Sequence, residues 1–193
     1  MSWVEPITLK NNYCTLVPLS IDHHDDLVTS AQDGELWNLK YATIPKPSMM
    51  KAEINLRLNL LNKAEMIPFA VTHNKSQKAV GMTTYCKLNP LEKKLDIGWT
   101  WYAKSHQRTA LNTNCKLLLL TYAFETLGAG AVYFKVHVKN IRSQQAVLRL
   151  GANFIDVIRN YRTMPNKQGQ NYNHYCITLS DWSNIKDNLL TNT

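Results

Sequence analysis

Several features that would mark a class of protein are missing from this sequence of 193 residues. It has no run of about 18 apolar residues, which excludes a membrane-spanning helix. The first residues lack a basic segment followed by an apolar one, so no secretory signal is predicted and a cytoplasmic location is expected. None of the 4 cysteines belongs to a Cys-x-x-Cys pair. Buried reduced thiols are therefore favoured over a disulfide framework, and no metal site is expected.

Length and composition are those of a globular protein with one domain. The apolar fraction of 45% and the charged fraction of 19% exclude a disordered or fibrous chain. At roughly 150 residues per domain, the length predicts a single domain over 1–193 with room for a sizeable core.

Acidic residues are scarce in the middle of the chain. The formal net charge is +8, from 22 Lys and Arg against 14 Asp and Glu. Residues 104–149 contain seven basic residues and one acid, Glu125, so this segment carries +6 and the remainder +2. The basic residues are Lys104, Arg108, Lys116, Lys135, Lys139, Arg142 and Arg149. Such a block indicates an anionic partner (a phosphate-rich cofactor, a nucleic acid or an acidic surface) or, more simply, a solvated basic face.

The pattern of apolar residues predicts an α/β (α+β) domain with a mixed sheet. Seven strands are predicted, over 14–19, 68–73, 79–85, 94–102, 131–138, 154–163 and 172–179. Helices are predicted over 20–31, 48–61, 110–127, 140–150 and 181–190. Gly98, inside the fourth strand, indicates a bulge or a close approach of another backbone.

The segment 96–152 reads as strand, polar loop, apolar helix, strand and a second helix start. A helix that begins directly after a strand offers unpaired backbone N–H groups and a positive dipole, which suit a pyrophosphate. The loop at this point consists of Gln107, Arg108, Thr109, Ala110, Leu111 and Asn112. It contains no glycine, so it is neither a Walker loop nor a dinucleotide fingerprint.

Motifs spread along nearly the whole chain share an order and spacing with one enzyme family. They are Trp3-Val-Glu-Pro6, Val17-Pro-Leu19, Pro68-Phe69, Gly81-Met-Thr-Thr-Tyr85, Asp96-Ile-Gly-Trp-Thr-Trp-Tyr102, Gln107-Arg-Thr-x-x-Asn112, Lys116-Leu-Leu-Leu-Leu120, Ala123-Phe-Glu125, Asn140-x-x-Ser143 and Leu150-Gly-Ala152. The sequence resembles the GCN5-related N-acetyltransferase (GNAT) superfamily. It looks most like the RimJ/RimL-type branch, whose members acetylate N-terminal amines of proteins or small amines.

The resemblance implies a mostly antiparallel sheet of about seven strands, flanked by helices. A V-shaped splay between the fourth and fifth strands would hold acetyl-CoA. The implied cofactor-binding residues are Trp101, Tyr102, Gln107, Arg108, Thr109, Ala110, Leu111, Asn112, Asn140 and Ser143. The basic residues that would contact or steer the cofactor's phosphates are Arg108, Lys116, Lys139 and Arg142.

The sequence departs from the family pattern in four places, one of which is Gln144 after Ser143, where this branch commonly has arginine. Thr109 and Leu111 stand where many members have glycine, although a subgroup with Gln-Arg-Thr-x-x-Asn exists. Val147 aligns with a tyrosine that acts as an acid in other members. Gln170-Asn171 replaces an Arg-Asp pair beside the acceptor cleft, which leaves the choice of acceptor open.

Two residues are predicted to carry the chemistry that the resemblance implies. Asp96 would remove a proton from the acceptor amine, directly or through water, unless it is a solvent-facing aspartate at the sheet edge. Ser143, with Tyr161 or Tyr175 behind it, would protonate the leaving thiolate, unless it serves only in the helix cap. Asp33 or Glu35 are alternative acids for the acceptor pocket.

Aromatic residues are candidates for the wall of an acceptor pocket. They are Trp37, Tyr41, Tyr85, Trp99 and Trp101, with core packing expected for at least two of them. His137 is expected to be a hydrogen-bonded core histidine rather than a base. A backbone N–H near Trp101 or Tyr102 is expected to face the developing oxyanion.

These observations lead to one main functional hypothesis and two alternatives. The main one is an acetyl-CoA-dependent N-acetyltransferase that acts on a protein N-terminal amine or a small-molecule amine, as a monomer or homodimer. The first alternative is a non-catalytic acyl-CoA-binding module of the same fold. The second is a nucleic-acid-binding protein, which is disfavoured because the basic block has no RNA-binding aromatic motif, zinc finger or helix-turn-helix pattern.

Overall fold

Eight strands form one sheet in the computed structural model, which describes residues 3–39, 41, 44–162 and 168–191. The strands are β1 (Leu9–Lys10), β2 (Cys14–Pro18), β3 (Met66–His73), β4 (Lys78–Asn89), β5 (Lys94–Tyr102), β6 (Ala131–His137), β7 (Asn153–Tyr161) and β8 (Gln170–Thr178). Their order across the sheet is β1-β2-β3-β4-β5-β6-β8-β7. The pair β5–β6 is parallel and the other neighbours are antiparallel.

In the described part of the chain, five α-helices cover the sheet. They are α1 (His24–Gln32), α2 (Met50–Asn62), α3 (Leu111–Thr121), α4 (Ile141–Arg149) and α5 (Leu179–Thr191). The prediction of a mixed sheet flanked by helices is confirmed, with one difference: the two-residue strand β1 was not predicted because it is too short to show an alternation. Among the described residues, no helix is long and apolar enough to cross a membrane.

Successive side chains of β3 and β4 point to opposite faces of the sheet and so contribute to a core on each face. Phe69 and Val71 pack with the apolar sides of α3 and α5, whereas Ala70 packs with α1 and α2. The continuous apolar run in β3 is typical of a strand that is buried on both faces of the sheet. The sheet therefore separates an α1–α2 face from an α3–α5 face.

The predicted helix 110–127 has two parts. Its α-helical portion ends at Thr121, and residues Tyr122–Thr126 continue it as a π-helical turn. All 4 cysteines are free and buried, as expected for reduced thiols. The polar loop predicted between the last two strands lies partly outside the described residues.

Candidate active site

The sheet opens between its two parallel strands. Pairing of β5 with β6 is limited to Lys94–Asp96 against Ala131–Tyr133, and beyond Asp96 the two strands diverge. A cavity of about 1060 Å³ occupies the gap and is lined from both strands, from α3 and from α4. This gap is the splay predicted between the fourth and fifth strands.

A β-bulge shapes the β5 wall of the cavity. Between the pairs Met82–Trp101 and Thr84–Gly98, β5 contains one residue more than β4, and Trp99 has a φ of 53°. Left-handed backbone at a tryptophan is strained and is kept only where surrounding contacts fix it. The bulge predicted from Gly98 is present, and the strained residue is the next one, Trp99.

The open edge of β5 is supplied with backbone donors and acceptors. The Ala103 amide donates to the Val80 carbonyl at 2.8 Å, so that, by the alternation of an antiparallel ladder, the Tyr102 amide is directed away from β4 and into the splay. The Gln107 side-chain amide donates to the Tyr102 carbonyl at 2.8 Å and ties the following loop to this edge.

A buried arginine fixes the bulge from the α1–α2 face. The Arg57 guanidinium, on α2, donates to the Trp99 carbonyl through both terminal nitrogens, each at 3.3 Å, and lies 5.4 Å from the centroid of the Trp99 ring. It also donates to the Thr84 hydroxyl at 3.1 Å and to Glu53 at 2.8 Å, and it has no exposed surface. The sequence contained a signal for this contact, since Arg57 interrupts the apolar face that includes Ile54 and Leu58.

A buried lysine contacts the same bulge from the α3–α5 face. Lys116 Nζ, on α3, lies 3.0 Å from the Thr100 hydroxyl and 3.5 Å from the Thr83 hydroxyl. Lys116 is only 5% exposed, and burial lowers its pKa to about 8. It lines the cavity beneath β5 rather than standing on the surface where a phosphate ligand was predicted.

The start of α3 presents free backbone donors to the cavity. Within the described residues the amides of Arg108, Thr109, Ala110 and Asn112 have no hydrogen-bond partner. Arg108 has a φ of 60°, so it adopts the left-handed conformation that glycine provides in other loops. The Leu111 side chain is fully buried in the core and leaves this loop open. The larger residues that stand in place of glycine therefore leave the backbone amides at the start of α3 accessible.

The start of α4 forms the opposite lip. The Asn140 side chain accepts a hydrogen bond from the Ser143 amide at 3.2 Å and caps the helix, and both residues line the cavity. Gln144 donates to the Val138 carbonyl at 2.8 Å and accepts from Asn173 at 3.0 Å, which holds α4 to β6 and β8. Asn140 is therefore the cap, and the Ser143 hydroxyl is not needed for it.

Asp96 lies at the apex of the splay, on the α1–α2 face. Its carboxylate forms an ion pair with Lys135 of β6, and the two side chains are 11% and 18% exposed. The predicted alternative of a solvent-facing aspartate does not describe this position. Lys135 Nζ also lies 5.7 Å from the centroid of the Tyr161 ring, and burial, with the Asp96 charge, raises the pKa of Tyr161 to about 12.

Aromatic rings line the cavity beside Asp96. His137 stacks on Tyr41, with centroids 6.2 Å apart, and meets Tyr172 edge-on at 5.5 Å. His137 therefore lines the cavity instead of the core, and burial and the Lys139 charge lower its pKa. Trp99 and Trp101 also line the cavity, as proposed for an acceptor pocket.

Other predicted residues lie away from the cavity. Tyr85 is fully buried, and Trp37 packs against the α1–α2 core, as the core alternative required. The Asp33 carboxylate accepts a hydrogen bond from the Ser105 amide at 2.8 Å, so it holds the β5–α3 loop. The Tyr175 hydroxyl accepts a hydrogen bond from the Asn173 side chain at 3.3 Å and lies outside the cavity lining. Of the two tyrosines predicted to lie behind Ser143, Tyr161 is therefore the one that lines the cavity.

Comparison with known families agrees with this geometry. The model of the acetyltransferase (GNAT) domain matches residues 14–153, which is most of the chain. The chain belongs to the GNAT acetyltransferase family. A search of the curated proteins gave no match.

Solved GNAT structures superimpose on nearly all of this chain. A protein of T. thermophilus assigned as an acetyltransferase is 26% identical, covers 98% of both chains and gives a TM-score of 0.84. Mycobacterium smegmatis RimJ in complex with CoA-disulfide is 14% identical, covers 97% of this chain and 95% of its own, and gives 0.78. The microcin C7 self-immunity acetyltransferase MccE, solved with acetyl-CoA and AMP, is 17% identical, covers 87% and 93%, and gives 0.72.

Proposed function

We propose that this GNAT protein transfers an acetyl group from acetyl-CoA directly to a primary amine, either a protein N-terminus or a small-molecule amine. The observation that supports the proposal is a cavity that passes through the opened sheet. Free amides at the start of α3 line one end of this cavity, and the Asp96 carboxylate lies toward the other face.

The residues of the α3–α5 face suit acetyl-CoA. The unpartnered amides among residues 108–112 would bind the pyrophosphate, because they combine N–H donors with the positive end of the helix dipole. The open β5 edge at Tyr102 would pair with an amide group of pantetheine, as an added strand does, and Trp101 would lie beside it. Arg108 and Arg142 are exposed at the rim and would attract the phosphates.

The residues of the α1–α2 face suit deprotonation of the acceptor. An ammonium must lose a proton before its nitrogen can attack a thioester, and Asp96 would take that proton directly or through water. The incoming ammonium would replace the Lys135 ammonium as the partner of the Asp96 carboxylate. His137, which has a lowered pKa and lines the same region, is a second proton acceptor.

Two further groups would act on the reacting carbonyl and the leaving sulfur. Backbone N–H groups beside the Trp99 bulge would stabilise the negative charge that develops on the carbonyl oxygen. The Ser143 hydroxyl is free of the cap and would donate to the sulfur as the C–S bond breaks. The acceptor nitrogen would bond to the acetyl carbon first, and the C–S bond would break as the resulting tetrahedral species collapses. CoA would leave as the thiol, and the Ser143 hydroxyl would regain its proton from those that the acceptor amine has lost.

Membership of the RimJ/RimL-type branch is part of the proposal. It is supported by the motifs of the sequence and by the RimJ superposition over nearly the whole chain. In this branch we expect an N-terminal amine as acceptor. The aromatic wall of Tyr41, His137 and Tyr172 would contact the residue that carries the amine.

Calorimetry and a CoA-release assay test the proposal. We expect binding of acetyl-CoA, followed by turnover with a member of a panel of N-terminal peptides, polyamines and aminoglycosides. Absence of acetyl-CoA binding would reject both the enzyme and the non-catalytic acyl-CoA-binding module. Binding of acetyl-CoA with no turnover over the whole panel, and an unchanged acetyl-CoA affinity in Asp96→Asn, would favour the module.

A further inference from the structure

Lys116 is a buried cation that the chemistry above does not use. It reaches from α3 to the underside of the β5 bulge, where its Nζ contacts the hydroxyls of Thr100 and Thr83. The Thr100 hydroxyl in turn lies 2.8 Å from that of Thr83 and 3.4 Å from the Gly98 carbonyl, on the far side of Trp99. Lys116 is thus connected through one hydroxyl to both sides of the strained residue.

The surroundings of Lys116 leave its positive charge uncompensated. Thr83 of β4 and Thr100 of β5 face it with neutral hydroxyls, and α3 contributes the neighbouring Cys115 thiol. Behind Cys115 lie the Cys14 thiol of β2 and the Tyr102 hydroxyl of β5, and burial raises the pKa of both Cys115 and Tyr102 far above neutrality. Within the described residues, Lys116 forms no ion pair with a carboxylate.

A buried ammonium with no ion-pair partner costs folding free energy, so its presence calls for an explanation beyond stability. An ammonium has three N–H donors, and the two threonine hydroxyls accept two of them. Lys116 also lines the cavity, so the third donor is available on the α3–α5 face, where the proposed function places the cofactor. The opposite side of the bulge already has its own buried cation in Arg57, whose charge is balanced by Glu53.

We propose that Lys116 is a positioning residue for acetyl transfer. Its ammonium orients the Thr100 hydroxyl at the bulge, and its positive potential stabilises the negative charge that develops on the thioester carbonyl oxygen beside the bulge. The inference rests on the proposed function. In this scheme Asp96 deprotonates the acceptor amine, and Lys116 stabilises the charge that develops on the thioester. The protonated form of Lys116 is the active one, so the rate constant kcat should fall as pH rises through the pKa of this lysine.

A binding experiment tests the titration without relying on turnover. Anionic acetyl-CoA raises the pKa of a nearby ammonium, so at pH 8 the wild-type protein should take up about half a proton on binding. Calorimetry in two buffers with different ionisation enthalpies measures this uptake. We expect it to be lost in Lys116→Met and Lys116→Arg and retained in Lys75→Met, which changes an exposed lysine in the β3–β4 turn. Equal uptake by all four proteins would overturn the inference.

A kinetic experiment tests the role in transfer. Hydroxylamine serves as a small nucleophile whose amine is neutral across the relevant pH range, so only the protein titrates. At pH 7, Lys116→Met should lower kcat about tenfold or more, and its pH profile should lack the decline near pH 8. Lys116→Arg should keep activity at pH 7 and extend the plateau to higher pH, because a guanidinium stays charged.

The outcomes separate this inference from the proposed function. Wild-type protein that fails to bind acetyl-CoA would reject the proposed function itself. Wild-type protein that binds and transfers, together with variants whose pH profiles coincide with the wild-type profile, would reject only the role of Lys116. If Lys116→Met fails to fold by circular dichroism, the Lys116→Arg profile decides, because a purely structural role would leave the decline near pH 8 in place.

Discussion

Arg57→Met is the substitution from which we expect the largest loss of stability. The substitution removes a guanidinium with no exposed surface that donates to the Trp99 carbonyl, the Thr84 hydroxyl and the Glu53 carboxylate. Methionine fills much of the volume but donates no hydrogen bond. Three acceptors then lose their donor, and Glu53, 17% exposed, is left without its partner.

The size of the effect follows from these contacts. Removing one member of a buried hydrogen-bonded ion pair costs about 3–5 kcal/mol of unfolding free energy. For a chain of this length, that corresponds to a decrease of about 6–20 °C in Tm. Arg57→Lys keeps the charge but loses the planar fork that spans the Trp99 carbonyl, so we expect an intermediate loss of about 1–3 kcal/mol.

Urea unfolding followed by tryptophan fluorescence and circular dichroism measures these differences. Glu53→Gln is the matched control, because it removes the charge of the partner and keeps an acceptor for Arg57. A loss below about 1 kcal/mol for Arg57→Met, with an unchanged m value, would refute the claim that this side chain fixes the bulge. Acetyl-CoA binding by each folded variant would show whether the bulge must be intact for the cofactor site.

Three further predictions concern single residues. Asp96→Asn should lower kcat about 100-fold or more while the Kd of acetyl-CoA changes less than about threefold, and turnover equal to wild type would remove Asp96 from the mechanism. Gly81→Ala should destabilise the protein by about 1–3 kcal/mol in urea, because its Cβ would lie 2.1 Å from the Trp101 carbonyl oxygen; a neutral result would mean that β4 and β5 separate freely. Hydrogen bonds from Ser105 lower the pKa of the Asp33 carboxyl, so its contribution to stability is present at neutral pH. That contribution is lost as pH falls from about 4, the usual pKa of an aspartate, through the lowered pKa of Asp33. The difference in Tm between wild type and Asp33→Asn should therefore shrink on acidification, and a constant difference would contradict this.

The sequence was sufficient for the architecture and for the parts of the site that follow one another along the chain. The bulge near Gly98, the polar loop at the start of α3 and the Asn140 cap depend on local patterns, and all three are present. The splay, which is also present, was implied only by the family resemblance. The one strand not predicted, β1, has two residues and no periodicity to detect.

The contacts that cross the sheet could not be read from the sequence. The Asp96–Lys135 pair depends on the register of β5 against β6, which brings together residues 39 positions apart. Lys116 was predicted near a phosphate because charge indicates a partner but does not show which way a helix is rotated. His137 was expected in the core because an alternating strand gives the same pattern whether its second face is filled by side chains or by a ligand.

The splay also has a thermodynamic consequence. Among the described residues, β5 has a strand neighbour on one side only from Ile97 to Tyr102, and in the proposed complex acetyl-CoA would supply the missing hydrogen-bonding partner. A ligand that binds the folded chain at about 100 times its Kd adds about 2.7 kcal/mol to the unfolding free energy. For this chain length, that amounts to a Tm increase of about 5–11 °C. Thermal shift against a library of acyl-CoA thioesters would therefore rank cofactor preference before any acceptor is known.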